Sequence, residues 1–71
     1  MRKYLKELRN LQNKSQQDVA DAVGITRQYY NMIEAGERQP DMSLSTMQKL
    51  SEAFGVPVTR IVEEEEKMKG E

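Results

Sequence analysis

The sequence has 71 residues, 37% of them hydrophobic, with 11 basic and 12 acidic side chains and a net charge of −1. A chain of this length builds one small domain with a modest core. The absence of both cysteine and histidine excludes disulfides, Cys/His zinc sites, thiol nucleophiles and imidazole bases.

No apolar run approaches the ~20 residues that span a bilayer, and the charged start, Met1 to Glu7, leads into no apolar signal stretch. The chain is therefore expected to be soluble and cytoplasmic, with no membrane, cofactor or metal partner. Its charge is segregated. Residues 1–38 carry seven basic and five acidic side chains, whereas residues 39–71 carry four and seven. Screening over ~8 Å at physiological salt lets the basic front act locally on phosphate in spite of the acidic back.

In chain order the hydrophobic spacing predicts five helices and no strands, an all-α chain. The first covers about residues 2–12, with Tyr4, Leu5, Leu8 and Leu11 mostly on one side. Asn13-Lys14 breaks it. Ser15 is a good N-cap, and Asp18 three residues later resembles a capping box that also suits the positive helix end. The second helix runs from about Gln16 to Val23 and buries Val19, Ala20 and Val23, with Gly24 suited to a left-handed stop.

Thr26 caps a third helix, about Arg27 to Ala35, which Gly36 ends, and residues 37–42 form a loop. Ser43 caps a fourth, with Leu44, Met47, Leu50 and Phe54 inward and Gly55 at its end. Pro57 opens a fifth, carrying Val58, Ile61 and Val62. Met32 and Met42 read as surface or interface positions. Residues 63–71 show no core-facing side, so they are expected to form an acidic tail beyond a domain of residues 1–62. Lys67 and Lys69 would pair with the Glu63–Glu66 run at i,i+4.

The most informative stretch is Gln16 to Ile33, where two short helices meet at Gly24-Ile25-Thr26. A tight crossing needs a small residue at the contact, which Ala20 supplies, and the turn needs a residue tolerant of positive φ, which Gly24 supplies. This is the helix-turn-helix arrangement. The run Ser15 to Gln28, its continuation Ile33-Glu34-Ala35-Gly36-Glu37-Arg38-Gln39-Pro40, and Ser43-Leu44 with Ala53-Phe54-Gly55-Val56 together resemble the phage repressor/Cro (XRE) family across about residues 4–62. Departures are Lys14 and Tyr30, which stand where the family places apolar residues, and Asp41-Met42, which looks like an insertion. The stem of Lys14 would lie along the core with its amine in water.

The resemblance implies a five-helix lambda-repressor-like domain whose helices two and three form the motif. It implies a non-enzymatic transcriptional regulator, a repressor binding a palindromic operator in double-stranded DNA as a homodimer. Arg27, Gln28 and Asn31 would face base edges in the major groove, Arg suiting guanine and Gln or Asn suiting adenine. Tyr29 would either meet DNA or pack on a neighbouring helix, and Tyr30 would point inward. Gln16 would clamp a backbone phosphate, with Lys14, Thr26 and Arg38 as further phosphate contacts. Arg9 and Glu34 match a partly buried salt bridge of the family. Val58, Ile61 and Val62 either complete the monomer core or form a dimer contact. Two rival readings use the same domain: an antitoxin or restriction-modification controller, and a protein-interaction module that no longer binds DNA.

Overall fold

The computed structural model describes residues 1–36 and 42–69, with the side chain of Lys69 outside the description. Residues 37–41 of the expected loop, with the phosphate contact at Arg38 and Asp41 of the apparent insertion, lie outside the described residues. Five helices follow one another: α1 (Lys3–Leu11), α2 (Gln16–Val23), α3 (Arg27–Ala35), α4 (Leu44–Phe54) and α5 (Val58–Lys69). The expected five-helix, all-α architecture is thus present among the described residues, and no helix among them is long and apolar enough to cross a membrane.

The starts of α2, α3 and α4 are set by short hydroxyl side chains. Ser15, Thr26 and Ser43 each sit in extended backbone and accept from the N–H three residues on, satisfying a donor that a helix end leaves unpaired. At Ser15 the capping box is complete, because the Ser15 N–H also donates to Asp18 Oδ2 at 2.9 Å. Backbone and side-chain hydrogen bonds from Ser15 hold the Asp18 carboxyl below its ordinary range.

The ends of α3 and α4 are capped from elsewhere. Neither helix has a basic residue in its last turn. Arg2 instead brings its backbone N–H to Glu34 O at 2.8 Å and its Nη1 to Ile33 O at 2.7 Å. Gln12 Nε2 donates to Phe54 O at 2.8 Å and Lys14 Nζ to Ala53 O at 2.7 Å. Residues flanking α1 therefore quench the carbonyl ends of two distant helices, where positive charge is favoured.

α2 packs against α3 and α4, α4 against α5, and α1 against α3. Leu5, Val19, Ala20, Tyr30, Leu50 and Ile61 have no exposed surface, and Leu8, Ile33 and Phe54 are buried beside them. Two leucines depart from expectation. Leu44 is 59% exposed, because at 3.6 residues per turn it lies about 90° around α4 from the face that Met47, Leu50 and Phe54 share. Leu11 is 78% exposed. It shares the angular position of Tyr4 and Leu8 but ends α1, where no described element covers it. Met42, read as surface or interface, is buried in the core.

The end of α5 differs most. Residues 63–69 continue the helix, Glu65 is buried and Met68 packs on the core. Ile61, Glu65 and Met68 fall at i, i+4 and i+7, one stripe of a helix. A glutamate in that stripe hid it from a hydrophobic reading. Lys67 pairs at i,i+3 with Glu64, at 3.4 Å, instead of at i,i+4.

Candidate nucleic-acid interface

The junction of α2 and α3 decides what faces outward. Gly24 adopts φ 86°, ψ 32° and its N–H donates to Ala20 O at 2.8 Å. A Cβ built on Gly24 would meet nothing within 4 Å, so glycine is required for its left-handed backbone and not for space. Beyond the turn, Tyr30 and Ile33 are buried while Arg27, Gln28, Tyr29, Asn31 and Met32 are exposed. Tyr30 thus points inward, and burial, with the Glu34 carboxylate beside it, pushes its phenol up. Met32, read as a surface or interface position, is exposed one helical turn beyond Gln28 and adds an apolar spot to the outward face.

A chain of polar contacts fixes this face to the rest of the domain. Arg9 grips Glu34 with both ends of its fork, Nε to Oε2 at 2.8 Å and Nη2 to Oε1 at 2.9 Å, and its Nη1 donates to Lys14 O at 3.2 Å. The expected salt bridge between helices one and three is therefore formed, with both side chains largely buried. Burial pushes the Glu34 carboxyl up, but the hydrogen bonds and charge of Arg9 outweigh it and the net direction is down. Gln16 joins next: its Nε2 donates to Glu34 Oε1 at 3.5 Å and to Asn31 Oδ1 at 3.1 Å. Three separately expected features, the ion pair, the phosphate clamp and a base-facing amide, thus form one network across α1, α2 and α3.

Two expected phosphate contacts are altered by the geometry. Lys14 does not hold its amine in water. It is directed to Ala53 O and lies 6.0 Å from the centre of the Phe54 ring, because the carbonyl end of α4 is a stronger local attractor than solvent. Gln16 commits its side-chain NH2 group to Glu34 and to the exposed Asn31, so the remaining atom of its amide is an acceptor, which does not suit a phosphate oxygen. Thr26 keeps its hydroxyl oxygen on the Tyr29 N–H at 3.1 Å as the cap of α3, with its O–H proton still available.

The sequence profile of the helix-turn-helix family matches residues 5–61. The chain belongs to that family, in its XRE type. The helix-turn-helix domain is 48% identical over 52 residues to the "SPbeta prophage-derived uncharacterized HTH-type transcriptional regulator YonR" of Bacillus subtilis, covering 73% of this chain and 46% of that one. It is 41% identical over 64 residues to the "Uncharacterized HTH-type transcriptional regulator YqaF" of the same organism, covering 90% and 82%. It is 31% identical over 62 residues to the "Cryptic phage CTXphi transcriptional repressor RstR" of Vibrio cholerae, covering 87% and 54%. The chain spans about half the length of the first and third of these relatives.

Within this helix-turn-helix domain, α5 decides between the two alternatives left open for one of its residues. Ile61 is wholly buried in the monomer, so it completes the core and cannot be a dimer contact, whereas Val58 and Val62 are half-buried. One cluster escaped sequence reasoning altogether. Arg2, 1% exposed, donates from Nε to both oxygens of Glu65 at 3.1 and 2.9 Å, and the Tyr4 hydroxyl donates to Glu65 Oε2. Nothing in the sequence pairs residues 63 positions apart.

Proposed function

We propose that this helix-turn-helix chain is a sequence-specific DNA-binding transcriptional regulator, a repressor acting on a near-palindromic operator as a homodimer. The observation that carries the reading is the exposed polar face of α3, with Arg27, Gln28 and Asn31 outward while the opposite side of the helix is anchored by Tyr30 and Ile33. A single helix of ~10–12 Å diameter fits the ~12 Å major groove. Arg27 and Gln28 stand in the first turn of α3, the end that recognition helices present to base edges. Repression is supported by the likeness to a chain named as a phage repressor.

The domain measures 29 Å in its longest dimension, enough for one half-site, and two copies would read half-sites ~34 Å apart. Val58 and Val62 on α5, both half-buried in the monomer, would supply apolar contact between copies. The reading assigns no catalysis, since no nucleophile–base pairing motif stands in the sequence.

Selection from random duplexes tests it. Enrichment of one near-palindromic site, with binding that weakens along a steep log–log salt slope, is the expected result. Arg27→Ala and Gln28→Ala should each relax preference at particular base pairs, by about 1–3 kcal/mol, while the fold persists. Sedimentation of the complex should give two chains per site. A flat salt response with no enriched sequence would sink the DNA reading, and one chain per site would sink the dimer.

A further inference from the structure

The contacts of Gln16, Asn31 and Glu34 fix the direction in which one exposed amide faces. An ionised carboxylate has acceptors only. Glu34, held ionised by the two-pronged grip of Arg9, therefore compels Gln16 to turn its NH2 group inward, as observed at 3.5 Å. The same NH2 group donates to Asn31 at 3.1 Å, and only the Asn31 oxygen can accept it. The outward atom of Asn31 is then its nitrogen, a pure donor. Polarity is thus handed from Arg9 through Glu34 and Gln16 to the surface of α3.

From this, and resting on the DNA reading above, we infer that Asn31 is a specificity-determining residue that selects guanine, not the adenine an unconstrained asparagine would take. Bidentate recognition of adenine needs a donor for N7 and an acceptor for the N6 amino group, and Gln16 takes one lone pair of the Asn31 oxygen and holds that oxygen toward α2, away from where the second contact would form. Guanine presents two adjacent acceptors, N7 and O6, which an outward NH2 group satisfies. Cytosine presents a donor at the same edge and is disfavoured. Gln16 is the positioning residue: it sets the Asn31 amide without reading a base itself.

Selection from random duplexes with the whole chain distinguishes the alternatives. The native protein should enrich guanine over adenine on the order of tenfold at one base pair, within the span that single base-edge contacts give. Asn31→Ala should flatten preference at that pair alone. Gln16→Ala, which frees the Asn31 oxygen, should move that same pair toward adenine, whereas Gln16→Glu, whose carboxylate cannot donate to Asn31, should do likewise if it folds. Circular dichroism melts establish that each variant is folded. Adenine at the Asn31-dependent pair of the native protein would overturn the inference. So would a Gln16→Ala variant that loses affinity equally at all positions, since that is the mark of a phosphate contact. An operator enriched without any Asn31-dependent position refutes this inference while sparing the DNA reading, and no enrichment at all refutes both.

Discussion

The ion pair between Arg9 and Glu34 is the residue-level contact on which the interface rests. Its side chains are 12% and 4% exposed, so removing one partner strands a charge away from water. Arg9→Ala should therefore cost about 3 kcal/mol or more, read as a lower urea midpoint. The sign of the pH dependence follows from the direction of the Glu34 shift. Its carboxyl titrates lower in the folded chain than in the unfolded one, so the unfolded state binds the proton first and stability falls as pH drops. The contribution is whole above roughly pH 5 and fades below the ordinary glutamate range near pH 4. Urea midpoints of the native chain and Glu34→Gln should converge as the solution is acidified. Parallel curves would show that Glu34 does not gain from its ionised form.

Helices are stopped and aimed by single residues. Gly24 and Gly55 both end helices in the left-handed region, φ 86° and 67°, and a Cβ on either meets nothing within 4 Å. Alanine at either position should cost roughly 1–2 kcal/mol from backbone strain alone. Only Gly24 lies between α2 and α3. Gly24→Ala should thus weaken operator binding beyond what its melting temperature explains, whereas Gly55→Ala should lower the melting temperature and spare affinity. Equal behaviour of the two variants would deny Gly24 a role in aiming α3. The borrowed caps act at the same scale. Gln12 and Lys14 bind the end of α4, and Arg2 binds the end of α3, so α1 and its flanks lock helices that carry no cation of their own in the last turn.

At the level of the whole molecule, Arg2 joins the start of the chain, the end of α3 and the last turns of α5. Burial and the Glu65 carboxylate push the Tyr4 phenol up, keeping it a neutral donor within this cluster. Deleting residues 63–71 should consequently destabilise the domain by several kcal/mol, because Arg2 would lose its buried partner and Met68 its packing. Glu65→Ala should reproduce most of that loss. A truncated chain melting at the native temperature would mean that the segment is a solvated tail after all.

Local chemistry in the sequence was enough for the elements and for the motif. Hydroxyl caps, left-handed glycines and the spacing of Val19, Ala20, Val23 and Ile33 are properties of neighbouring residues, so helix order and the α2–α3 turn could be read directly, whereas the inward Tyr30 and the outward set at Arg27, Gln28 and Asn31 came with the family resemblance. The Arg9–Glu34 pair was legible only through the family resemblance. Other features depended on which surfaces meet. Leu11 looks like a core residue until its place at an uncovered helix end is known, and Leu44 until the face that α4 buries is known. Lys14, Arg2 and Glu65 look like surface charges until distant carbonyl ends and a buried partner are brought to them. Whether a charge is solvated or paired, and which way an amide turns, depends on atoms far away in the chain. Those choices belong to the tertiary structure, because burial and hydrogen-bond partners are set by packing and not by sequence spacing.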